Sequence, residues 1–170
     1  VGSAAGVMWR DVTGHLTFDA GTDPIRQDTI FDLASLTKPI ATTTAALSHV
    51  ARGGVGLDTL VREQFVEWQG ADRAAVSLRH LLDHSSGLAA RLPGTSPTSA
   101  REFLRALCTG PLAYLPGTRA EYSDLGFILL GLWIEALGRQ ALSTQVQDLC
   151  SMLLGTVTGD PDDLLLTRVP

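Results

Sequence analysis

The sequence predicts an α+β domain: an N-terminal hairpin of an antiparallel sheet within residues 1–33, then a mostly helical region over residues 34–170. Three observations carry this. Two strand-like segments flank a turn near the start. Past residue 33, apolar residues recur at helical spacing between recognisable caps. Strand patterning nearly vanishes after the hairpin. A chain of 170 residues suits one domain and can bury a real core.

The two strands are Ala4 to Arg10 and His15 to Ala20, flanking Asp11-Val12-Thr13-Gly14, which has turn chemistry. Gly21-Thr22-Asp23-Pro24 ends the second strand, and a short apolar step follows at Ile30-Phe31. Pro39 has no N–H and is tolerated only in the first turn of a helix, so a helix begins near Ser35 or Leu36. It runs to about Ala51, where Arg52-Gly53-Gly54 stops it. Ser77 to His84 reads as a short helix ending at Ser85-Ser86-Gly87, and Ser99 to Cys108 as another. Ser123 or Asp124 caps a strong helix with Leu125, Ile128, Leu129, Leu132, Trp133 and Ala136 at 3,4 spacing and Gly138 as its stop. Leu142 to Leu153 is the last. Leu92-Pro93-Gly94 and Leu115-Pro116-Gly117 are loops. A sheet needs more than two strands to stand alone, so the hairpin calls for partners that this stretch does not supply.

Bulk properties exclude several classes. A net charge of -5 with scattered arginines gives no basic stripe, and no nucleic-acid partner is expected. No transmembrane segment is expected either: the longest apolar run, Leu125 to Leu137, falls short of about 20 residues and contains Gly126, Gly131 and Glu135. Cys108 and Cys150 read as buried small apolar groups rather than a disulfide or ligand pair. No signal peptide is visible; cytoplasmic and exported locations are both open, as is the oligomeric state.

Chemistry concentrates around Lys38, the only lysine; the other twelve fixed cations are arginines. A lysine can lose its proton and act as a base, which an arginine does not. Ser35 lies three residues earlier, on the same helix face. A hydroxyl and an amine so placed are the minimal apparatus of an activated serine nucleophile. Free N–H groups and the positive end of the helix dipole favour an oxyanion there. The plainer reading is a capping Ser35 and a solvated Lys38. His80 and His84, four apart, imitate half of a zinc site, but the acid is misplaced and no third ligand is evident, so a structural role is favoured and no metal is expected.

Three segments taken together carry a resemblance: Ser35-x-x-Lys38; Leu81-Leu82-Asp83-His84-Ser85-Ser86-Gly87-Leu88; and Glu121-Tyr122-Ser123-Asp124-Leu125-Gly126-Phe127. In this order and spacing the chain resembles the serine β-lactamase-like family, which includes class C β-lactamases, D-alanyl-D-alanine carboxypeptidases and related esterases. The resemblance implies a β-lactamase/transpeptidase-like fold, represented here by an N-terminal half. It implies acylation of Ser35, proton removal assisted by Lys38, and a second base or proton shuttle at Tyr122. It implies a small-molecule acyl substrate (ester, amide or β-lactam) and no cofactor. Two departures accompany it. Asp124 stands where the family has Asn; an ionised carboxylate only accepts hydrogen bonds, so Asp124 either holds Lys38 protonated or caps the next helix. The family's third element, a Lys-Thr-Gly-type strand far downstream, has no counterpart before Pro170; Val157-Thr158-Gly159 imitates the string but reads as a turn. Three readings follow: a serine hydrolase forming an acyl-enzyme on Ser35, an inactive relative serving as a binding or regulatory module, and a non-functional fragment.

Overall fold

Residues 15–20 alternate polar and apolar side chains, yet they do not form a strand. The structure is a computed structural model, and it describes residues 2–3, 6–7, 11–92 and 99–154. The chain divides into two compact units, Val1–Leu33 and Ala34–Pro170. In the first, β1 (Gly2–Ser3) pairs antiparallel with β2 (Gly6–Val7), Gly2 opposite Val7. Apart from Gly6–Val7, most of the expected strand Ala4 to Arg10 lies outside the described residues. The expected strand His15 to Ala20 is replaced by a bend closed by a single His15–Pro24 bridge. Leu16 N–H donates to Asp23 and Ile25 N–H to Gly14, both at 3.0 Å. Within the bend, Thr17 donates to Asp19 at 3.0 Å and its hydroxyl takes the Asp19 N–H at 3.2 Å. Such local side-chain bonds compete with a ladder. Leu16 is 54% exposed and Phe18 fully exposed. The α+β expectation is therefore corrected. Among the described residues the chain is mostly helix and loop; its paired strands are the two-residue β1 and β2, and no strand forms over residues 15–20 to make the predicted hairpin. A two-stranded ribbon without a third strand or a packed face is marginal in water.

The second unit follows the helical expectation more closely. Ala34–Leu36 makes a 3₁₀ turn, Lys38–Thr43 a π-helical segment, and Thr44–Ala51 the helix α1. The sequence predicts one unbroken helix here. Pro39 removes a donor from its first turn, and the Thr44 hydroxyl, five residues on, donates to the Pro39 carbonyl at 3.1 Å. Short helices α2 (Val61–Gln64) and α3 (Leu78–Leu82) follow. Then come α4 (Ala100–Thr109), α5 (Asp124–Gly138) and α6 (Leu142–Leu154). Ser99 caps α4 by accepting the Glu102 N–H at 3.3 Å. Ser123, not Asp124, caps α5, accepting the Gly126 N–H at 3.2 Å. Val157-Thr158-Gly159 lies outside the described residues.

Helix α5 is apolar nearly all round, which is the pattern of a helix buried on most faces. Leu125, Phe127, Leu129, Leu130, Trp133 and Ile134 are all buried. Ala45 and Ala46 of α1, Leu78 and Leu81 of α3, Leu107 and Cys108 of α4, and Val146 and Leu149 of α6 join them in one core. Helix α6 turns 73° away from α5. Among the described residues, no single helix is long and apolar enough to cross a membrane. This core fixes both ends of the site: the start of α5 and the segment that leads into α1.

Candidate active site

Ser35 and Lys38 are positioned by one irregular turn. The residue before the serine, Ala34, has φ +44°, a left-handed value rare for a residue with a Cβ. The 3₁₀ turn ends at Leu36 and the π-helical segment begins at Lys38, and across this junction the Lys38 Nζ comes to 3.4 Å from the Ser35 Oγ as donor. Ser35 itself is exposed.

Tyr122 reaches the same point from 87 residues away: its hydroxyl donates to Ser35 Oγ at 2.6 Å. Lys38 also lies over the Tyr122 ring, 4.9 Å from its centre. Asp124, the first residue of α5, pairs with Lys38 Nζ at 2.6 Å. Of its two possible roles the geometry gives it the ion pair, and Ser123 takes the cap. The structure thus brings together all four residues singled out in the sequence, Ser35, Lys38, Tyr122 and Asp124.

The electrostatics follow from these contacts. Partial burial pulls the Lys38 ammonium toward a lower pKa, but hydrogen bonds to Asp124 and Tyr122 and their charges outweigh it. The net direction is up from 10.5. The Tyr122 phenol moves the other way, below 10.0: the hydrogen bond from Lys38 is the largest cause, followed by the bond to Ser35. The resting site therefore holds a charged ammonium and an acidified phenol on either side of an alcohol.

The segment His84–Ala90, legible in the sequence only as part of the resemblance, turns out to be the bed on which the tyrosine segment lies. Ala113 N–H donates to Gly87, Gly117 N–H to Ser85 and Glu121 N–H to His84, at 2.8 to 2.9 Å. The Ser123 hydroxyl donates to the Ala89 carbonyl at 2.7 Å. Gly87 has φ +84°, and a Cβ there would collide with the Tyr114 carbonyl, so only glycine allows this close crossing. His80 and His84 do different work: His80 Nδ1 accepts the Ser77 N–H at 3.1 Å at the start of α3, while His84 Nδ1 accepts that of Ser123 at 3.1 Å. Among the described residues no three His, Cys, Asp or Glu side chains group so as to hold a metal ion.

Comparison with known proteins identifies the family. The beta-lactamase family model matches residues 4–157. Esterase EstB of Burkholderia gladioli is 34% identical over 169 residues, covering 88% of this chain and 42% of that protein. A putative D-alanyl-D-alanine carboxypeptidase of Escherichia coli O157:H7 is 28% identical, covering 71% of this chain and 31% of that protein. The crystal structure of a class C beta lactamase from Rhodobacter sphaeroides superposes with a TM-score of 0.66 at 25% identity, over 79% of this chain and 37% of that one. The chain spans less than half the length of each of these relatives. A match over most of its residues, with a lysine, a serine and a tyrosine converging as described, places this chain in the beta-lactamase family.

Proposed function

We propose that this chain carries the acylating residues of a serine hydrolase acting on carboxylic esters. The observation that supports it most directly is the 2.6 Å contact between the Tyr122 hydroxyl and Ser35 Oγ, with Lys38 beside both. Once the acidified phenol has lost its proton to solvent, the bond reverses and the Ser35 hydroxyl donates to the phenolate. As Oγ attacks the carbonyl, its proton passes to the Tyr122 oxygen and then to the departing alcohol, leaving an acyl group on Ser35. Water completes the cycle: its proton passes to Tyr122 as its oxygen bonds the acyl carbon, and Tyr122 hands that proton to the departing Ser35 Oγ, releasing the acid and restoring both side chains. Lys38, held charged by Asp124, stabilises the phenolate and relays the proton rather than serving as the primary base. The Ser35 N–H is a candidate donor to the oxyanion.

Two considerations favour an ester over an amide or β-lactam. The greater identity is to a protein named as an esterase. Asp124, as an ionised carboxylate, offers a substrate no donor where an Asn would. The competing reading, a non-catalytic relative, draws on the same Lys38–Asp124 pair, since a permanently charged amine is a poor base. Exposure to a fluorophosphonate followed by peptide mass mapping separates them. The hydrolase reading expects an adduct on Ser35 and turnover of short-chain p-nitrophenyl esters. An unmodified Ser35 with no ester turnover in the full-length protein would overturn it.

A further inference from the structure

We propose that His84 is the positioning residue for Tyr122, acting through a hydrogen bond that only the neutral imidazole can accept; this rests on the hydrolase reading above. His84 grips the tyrosine segment at both flanks. Its backbone carbonyl accepts the Glu121 N–H at 2.9 Å, and its ring Nδ1 accepts the Ser123 N–H at 3.1 Å. Tyr122 is the residue between them. The Tyr114 hydroxyl closes a third contact on the same carbonyl at 2.8 Å. The ring also packs against Tyr122 at 4.8 Å and against Phe127 at 4.9 Å between ring centres. Reaching the segment with carbonyl and ring together goes with a left-handed backbone, φ +61°.

A backbone N–H can only donate, so the Ser123 contact fixes the tautomer: Nδ1 is bare and the proton resides on Nε2. A second proton on the ring turns Nδ1 into a donor facing a donor, and the bond is lost. The charges around the ring come from every element packed on it. Lys38 from the π-helical segment opposes an imidazolium; Asp124 of α5 and Asp83 in the preceding turn favour one; Tyr122 lies against the ring face. Burial, first, and the Lys38 charge, second, keep the imidazole pKa below 6.5, so the accepting form prevails at neutral pH. As pH falls through that lowered imidazole pKa the grip opens, Tyr122 loses its register on Ser35, and acylation declines although neither residue has changed its own charge.

Two substitutions separate this from a packing role. The Asn side-chain oxygen lies close to where Nδ1 was and tolerates a left-handed backbone, so His84→Asn keeps the acceptor without a titrating ring. His84→Phe keeps a ring and removes the acceptor. We expect His84→Phe to lower kcat for a p-nitrophenyl ester about 30-fold with KM little changed. His84→Asn should retain activity within about threefold and lose only the step in the pH profile that lies below pH 6.5, keeping the climb set by Tyr122. Two readouts do not need activity. In wild type and His84→Asn, the Ser123 amide proton resonance is shifted downfield, and the Tyr122 phenol, followed by ultraviolet difference spectra against Tyr122→Phe, titrates below its ordinary value. In His84→Phe both shifts vanish. Loss of ester turnover in the wild type with these shifts intact would sink the hydrolase reading alone. A Tyr122 titration and Ser123 resonance unmoved in His84→Phe, or equal failure of the Asn and Phe variants, would overturn the positioning role.

Discussion

Two cations in this molecule have been given the same kinds of neighbour and opposite tasks. Arg73 pairs with Asp72 at 3.0 Å and stacks over Trp68 at 5.1 Å; Lys38 pairs with Asp124 at 2.6 Å and lies over Tyr122 at 4.9 Å. The difference is in what else they touch. Arg73 is 4% exposed, and its fork donates to the Cys108 and Gly110 carbonyls at the end of α4, both at 2.6 Å. These are fixed acceptors that never change, and the guanidinium offsets the carbonyl end of that helix. Lys38 retains 17% side-chain exposure and faces two hydroxyls, Ser35 and Tyr122, that can exchange protons with it. A cation surrounded by inert acceptors holds structure together. A cation surrounded by groups that titrate is available for chemistry.

Reciprocal exchange tests that distinction. The largest effect expected is from Lys38→Arg, which keeps charge but not the compact, titratable amine: ester turnover should fall about 1000-fold with the melting temperature nearly unchanged. A variant retaining most of its activity would place Lys38 with Arg73 as a structural cation. Tyr122→Phe follows, with about 100-fold slower labelling of Ser35. In the wild type that labelling rate should climb with pH as the phenol deprotonates, its midpoint below 10.0; in Tyr122→Phe the climb should be gone. Arg73→Lys should do the reverse of Lys38→Arg: a loss of about 2 kcal/mol in denaturant unfolding, because a point charge cannot serve the two carbonyls and Asp72 at once, while activity per folded molecule is preserved.

The smallest effect expected is from Asp124→Asn. The Lys38–Asp124 pair is partly open to water on the Asp124 side, so its removal should cost under about 1 kcal/mol. Its pH dependence has a definite sign. Lys38 is raised above 10.5, so its contribution is fully present below that value and fades as pH climbs through the folded pKa. Asp124→Asn should flatten that alkaline decline and bring the Lys38 titration down, which NMR of the single lysine side chain can follow. An unmoved lysine titration would mean that the ion pair does not set the charge of the site.

The sequence made Lys38 legible because it is unique, and Ser35 because it precedes that lysine by one turn; Tyr122 and the pairing of Asp124 needed the resemblance, since locally Asp124 reads only as a candidate helix cap. Arg73 was invisible. It sits in a polar stretch, Gly70-Ala71-Asp72-Arg73-Ala74, that gives no sign of burial, and its partners are main-chain carbonyls, which carry no sequence signal. His84 was read from the sequence as structural rather than metal-binding, but its contacts, backbone groups 37 and 39 residues away, carry no sequence signal. The helices α4, α5 and α6 were readable to within a residue or two from caps and apolar spacing. The hairpin failed because alternation at Leu16 and Phe18 says which face would be buried, not whether anything is there to bury it.

The left-handed Ala34 has a further consequence for anyone trying to improve this protein. Its side chain makes that backbone shape unfavourable by about 1–2 kcal/mol, which glycine would largely relieve. Ala34→Gly therefore looks like an easy route to a hardier molecule. Yet the same exchange frees the hinge on which the attacking alcohol hangs, so heat tolerance and turnover should part company at this one methyl group.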